Sequence, residues 1–158
     1  MRYPRNARPL AALAVAIALL PAADLPARFS AAASQAEIRT PTLERTKSKA
    51  ETTHEIVMLL IRKKEFTQAA EEANKIFQMK WPSDQEPVLL KELLFFADQF
   101  LHQDQAAIGV QLLEANSRSF KLATSQVAIW KEKGYLFKKM GQDSKALECF
   151  REAQRLEK

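Results

Sequence analysis

Residues Trp130–Phe150 read WKEKGYLFKKMGQDSKALECF and hold two of the chain's three glycines, Gly134 and Gly141. Trp130, Gly134 and Phe137 fall at i, i+4 and i+7, one stripe of one helix. Ala146, Phe150 and Ala153 carry an equivalent stripe on the next. A glycine inside a helix costs about 1 kcal/mol relative to alanine, so something must offset Gly134. Close approach is the simplest offset. With hydrogen at Gly134 and a methyl at Ala146, two helix backbones pack tightly, and the rings of Trp130, Phe137 and Phe150 fill the space on either side. Gly141 fits the left-handed residue that ends the first helix.

The same reading extends outward. No stretch after Thr52 alternates with period two for long, and the pattern predicts six helices. They span about Thr53–Lys64, Phe66–Lys80, Val88–Gln103, Gln105–Ala115, Gln126–Met140 and Ser144–Lys158. Asp104 is placed to cap the fourth, and WPSDQEP breaks the chain after the second. The breaks at Glu65, Asp104 and Gly141–Asp143 are short, which predicts antiparallel helical hairpins. Three such hairpins in series invite a search for a repeat. Taking Ala69, Ala106 and Ala146 as equivalent gives intervals of 37 and 40 residues.

Over Val127–Lys158 the pattern W-x3-G-x2-F…G-x4-A-x3-F-x2-A resembles the tetratricopeptide repeat. It departs at Lys133, where leucine is usual, and at Lys158, where proline usually closes the unit. Residues 53–116 resemble it more weakly, by pattern only. The resemblance implies an all-α fold of three antiparallel hairpins stacked as a right-handed superhelix with a concave groove. It also implies a module that binds a protein or peptide partner. Candidate contact residues by helix position are Asn74, Phe95, Lys131 and Lys138. Ile56–Ile61 is six consecutive apolar residues, more than one helical turn, and marks a face for self-association or partner contact.

The first 36 residues are unlike the rest. Arg2, Arg5 and Arg8 precede the unbroken apolar run Leu10–Leu20, followed by an alanine-rich stretch with small residues at A-x-A spacing. That order predicts a secretory signal peptide, cleaved after Ala33 or Ala36. The protein is then periplasmic or secreted, and membrane-held only if the leader is an uncleaved anchor of a structural subunit. Residues 37–52 are polar and read as a flexible lead-in, with Pro41 able to start a helix, and 53–158 as the repeat domain. The whole chain carries 24 basic and 19 acidic residues. Four of those bases and one acid lie in the first 36 residues, so the remainder has 20 against 18, a net of +2. That balance does not indicate a nucleic-acid protein.

Catalytic and metal patterns are absent from the sequence. His54-Glu55 begins like a zinc-protease H-E-x-x-H, but Met58 stands at the fifth position. No phosphate loop is available to three dispersed glycines, and the single cysteine, Cys149, permits no internal disulfide. The expectation is no enzyme, no cofactor and no metal.

Overall fold

The computed structural model describes the backbone from Arg28 to Lys158 and the side chains from Thr42 onward. Among these residues the regular elements are all helical: α1 (Arg28–Arg62), α2 (Phe66–Phe77), α3 (Glu86–His102), α4 (Ala106–Asn116), α5 (Ala123–Lys139) and α6 (Asp143–Leu156). Single 3-10 turns at Ser83–Gln85 and Ser117–Ser119 precede α3 and α5. Over the described residues the fold is all-α with six helices, in the order the periodicity predicts.

The largest departure is α1. The stretch 37–52, expected as a flexible lead-in, is helical, and Pro41 lies inside the helix instead of opening it. The sequence there has no apolar stripe to announce a helix. Three threonines adapt to it by donating their hydroxyls four residues back: Thr46 to the Thr42 carbonyl at 3.0 Å, Thr52 to Ser48 at 3.0 Å and Thr53 to Lys49 at 2.8 Å. The basic residues and apolar run of the leader lie outside the described residues, while the two cleavage candidates fall in the opening turns of α1. Among the described residues no helix is long and apolar enough to cross a membrane.

Helices pair in sequence: α1 with α2, α3 with α4, α5 with α6. Each pair is joined by the same backbone turn. Its central residue is left-handed: Lys64 at φ 64°, Asp104 at φ 59° and Gly141 at φ 70°. In each, that residue's N–H bonds the carbonyl three back, at 2.9, 3.0 and 3.0 Å (Ile61, Leu101, Lys138). The next N–H reaches five back, at 2.9, 2.8 and 2.9 Å (Leu60, Phe100, Phe137). These are the two bonds of the Schellman motif, which satisfies carbonyls left free at a helix end. Asp104, expected as the cap of the fourth helix, is instead the turning residue, and Gln105 stands at the cap.

The turns fix the internal register. Five residues after each left-handed residue stand Ala69, Gly109 and Ala146, so Gly109, not Ala106, belongs with the two alanines. The intervals are therefore 40 and 37 residues. Seven residues before each turn stand Val57, Ala97 and Gly134; nine after stand Ala73, Leu113 and Phe150. As the first position shrinks from valine to glycine, the second grows from alanine to phenylalanine. The tightest case is measurable: a Cβ on Gly134 would lie 2.6 Å from Cε1 of Phe150. The ring occupies the place of the missing methyl instead of flanking a bare backbone contact.

Between pairs, α4 packs on α2 and on α5, and α3 packs on α5. Leu93, Phe96, Phe100, Leu112, Leu113, Ile129 and Leu136 fill the shared core with almost no exposure. Gly109 permits the approach of α5, since a Cβ there would lie 3.3 Å from Cδ1 of Leu136 and 3.2 Å from the Ala97 carbonyl oxygen. The connector before α5 is tied down by Glu86, whose carboxylate accepts the N–H groups of Lys121 at 3.0 Å and Leu122 at 2.8 Å. Partial desolvation pushes the Glu86 carboxyl up, but these bonds, one from Ser125 and the Lys121 charge outweigh it and hold the group below its ordinary value.

An apolar cleft between α1 and α3

α1 and α3 meet through His54. Its Nδ1 lies 2.5 Å from Oε1 of Glu92, and its ring stacks at 5.4 Å on Phe95 and sits 5.2 Å from Phe96. One turn of α1 toward the N-terminus is Ala50, and behind it the connector after α2 folds Trp81 inward. Trp81 is fixed there because its indole N–H donates to the Ile76 carbonyl at 2.7 Å. Between these parts opens a cleft of about 320 Å³. Its apolar lining is Ala50, Ile76, Trp81, Val88 and Leu89; its charged lining is Lys47, Glu51, Glu55 and Glu92 with His54. Val88 is 60 % exposed although it is a large aliphatic residue on the first turn of α3.

The charges around this opening are unequal. Lys47 pairs with Glu44 at 3.2 Å. Glu51 and Glu55 are exposed and have no ion pair or hydrogen bond among the described residues. The chemistry on offer is an apolar seat beside carboxylates. Among the described residues no group of three or more His, Cys, Asp or Glu is placed to hold a metal ion.

The four contact residues expected from the sequence fall elsewhere, and no hydrogen bond, ion pair or ring contact among the described residues joins any two of them. Phe95 is closest to the cleft: 38 % exposed, it stacks on the far side of His54. Asn74 points between α2 and α4, where its Oδ1 accepts a hydrogen bond from Nδ2 of Asn116 at 2.6 Å. Lys131 donates to Oε1 of Glu157 at 2.5 Å, and that bond and charge hold its ammonium above the ordinary lysine value. Lys138 is exposed in the last turn of α5. In the run Ile56–Ile61, Val57 and Ile61 are buried, Met58 and Leu60 half-buried, and only Ile56 and Leu59 stand exposed, at 42 % and 50 %.

Reasoning from the sequence missed His54, Glu92 and Trp81. His54 was considered only for a zinc motif that fails; its partner lies 38 residues away, a separation no local spacing reveals. Trp81 offered a signal, a large ring inside a proline-flanked break. Lys133, at the position where the repeat pattern prefers leucine, also finds its reason. Its side chain is only 11 % exposed, with Nζ 3.0 Å from Oε1 of Glu114 and 4.4 Å over the Trp130 ring. Cys149 is buried nearby on α6, and burial pushes its thiol up, away from the reactive thiolate. Comparison with protein-family models, with curated proteins and with solved structures returns no match.

Proposed function

We propose that this chain is an exported interaction module that holds a segment of a protein or peptide partner and performs no catalysis of its own. In this reading the three helix pairs are antiparallel hairpins stacked in the manner of tetratricopeptide repeats, with α1, α3 and α5 toward one side. The recurrence of one turn geometry at near-regular intervals supports that arrangement. The order of basic, apolar and small residues in the leader supports export to a periplasm or the cell exterior.

The observation that carries the reading is the open apolar cleft between α1 and α3. Other exposed apolar residues, such as Leu59 and Leu147, stand on convex helix faces or alone, whereas here Trp81, Val88 and Leu89 line one concavity beside the His54–Glu92 pair. A concave apolar surface with a few placed polar groups is the general form of a binding site. The test is a photo-crosslinking side chain at position 88, compared in the native host with one at position 147, where Leu147 is similarly exposed on α6. A discrete adduct from position 88 alone, reproduced with the purified partner and saturable by it, is the expected result. Equal labelling from both positions, or none from position 88, overturns the proposal.

A further inference from the structure

We infer that the α1–α3 cleft takes a cationic segment of polypeptide: one or two large apolar side chains seated on Trp81, Val88 and Leu89, flanked by lysine or arginine. The inference rests on the reading of the cleft as an interaction site and adds the chemistry of the occupant. Three observations lead to it.

First, the charge around the cleft is one-sided. Glu51 and Glu55 stand four apart on α1, which places them one turn apart on the same edge. Glu92 adds a carboxylate from α3, and its Oε1 is taken by His54. Lys47 is the single lysine or arginine in the lining, and it already faces Glu44 at 3.2 Å. Like charges at i, i+4 repel by a few tenths of a kcal/mol. A bound cation relieves that repulsion, and an acidic segment adds to it.

Second, the size is small. At about 320 Å³ the cleft lies at the low end for ligand pockets, room for one or two side chains. The rest of a bound segment must therefore run over the carboxylate edge. A wholly apolar segment would cover Glu51 and Glu55 without offering them a partner, which is unfavourable.

Third, the corresponding grooves on other faces are largely satisfied from within. Between α2 and α4, Asn74 and Asn116 bond each other; between α4 and α6, Lys133 meets Glu114 and Lys145 lies 5.4 Å over the Phe137 ring. Among the described residues each of those grooves keeps one carboxylate without a partner, Glu71 in the first and Glu148 in the second, and the second also holds two lysines; the α1–α3 cleft has two such carboxylates on one edge.

The experiment uses the full chain carrying Trp130→Phe, so that Trp81 is its sole tryptophan. Short synthetic peptides with a Leu-Phe centre are titrated against Trp81 emission, flanked by lysine and arginine, by serine, or by glutamate. The expected order of affinity is basic, then neutral, then acidic, with the basic advantage shrinking as salt is raised. In a Glu51→Gln, Glu55→Gln variant the basic peptide loses roughly two- to five-fold in affinity per charge removed, and the neutral peptide is unchanged. Both glutamates are exposed, and an unchanged circular dichroism spectrum verifies that the variant folds. Neutral or acidic peptides binding as tightly as the basic one overturn the charge inference and leave the cleft as an interaction site. No response of Trp81 to any of the three overturns both.

Discussion

Replacing Gly134 with alanine puts a methyl where the Phe150 ring now lies. The new Cβ would meet three ring atoms at 2.6, 2.8 and 2.9 Å, against the 3.5–4.0 Å at which carbon atoms attract. The ring edge must retreat by about 1 Å. It is not free to do so cheaply, since Tyr135 packs edge-on against it with centroids 5.2 Å apart. Overpacking of this kind costs about 1–3 kcal/mol. Alanine returns about 1 kcal/mol of helix propensity, so Gly134→Ala should destabilise the protein by about 1 kcal/mol net. The decisive measurement is a double-mutant cycle with Phe150→Leu, followed by urea denaturation and far-ultraviolet circular dichroism. The middle pair already combines a small and a medium residue at these positions, Ala97 with Leu113. In the Phe150→Leu background the clash is gone, and Gly134→Ala should become stabilising by up to about 1 kcal/mol. A coupling energy of about 2 kcal/mol follows. If Gly134→Ala has the same effect in both backgrounds, the ring does not occupy the glycine's place and the reciprocal-volume account fails.

Three further outcomes use the same denaturation assay. Lys64 holds φ 64° without being glycine, so Lys64→Gly should stabilise by about 0.5 kcal/mol, and Gly141→Ala, at φ 70° with nothing near its Cβ, should destabilise by about 1 kcal/mol; the opposite signs would refute the shared turn. Glu132 has its carboxyl raised by burial and then by Asp98, so the folded state holds its proton more tightly than the unfolded chain. Its ionisation therefore weakens the fold as pH rises through the ordinary carboxylate value and up to the folded one. Glu132→Gln should raise the urea midpoint at neutral pH and not in acid; an advantage that persists in acid would point to packing instead.

The sequence was most legible where it departs from ordinary helix composition. Gly134 and Gly141 announce a contact and a turn because glycine is costly inside a helix and cheap when left-handed. The other two turns have the same backbone but carry Lys64 and Asp104 there, so the breaks are legible near Glu65 and Asp104 while the left-handed residue in each is not. For the same reason Ala106 looked like the counterpart of Ala69, and the match passed over Gly109. Residues 37–52 misled in the opposite direction: they continue the α1 helix, with Thr46 donating its hydroxyl to the Thr42 carbonyl, although no apolar stripe marks them. The cleft was least legible of all. It depends on His54 meeting Glu92, 38 residues away, which follows from how helix pairs settle against one another, and on Trp81 turning back to the Ile76 carbonyl five residues before it.

The recurring three-residue turn also bears on how quickly the chain reaches its native state. Because each turn closes over so few residues, a helix finds its nearest partner almost at once, with little entropy lost in joining the ends. The partners α1–α2, α3–α4 and α5–α6 are all neighbours in the chain, the low contact order associated with rapid folding. Folding can then begin within any pair and need not wait for distant segments to meet. The longer-range step is the one that brings Glu86, at the start of α3, to the Lys121 connector 35 residues on.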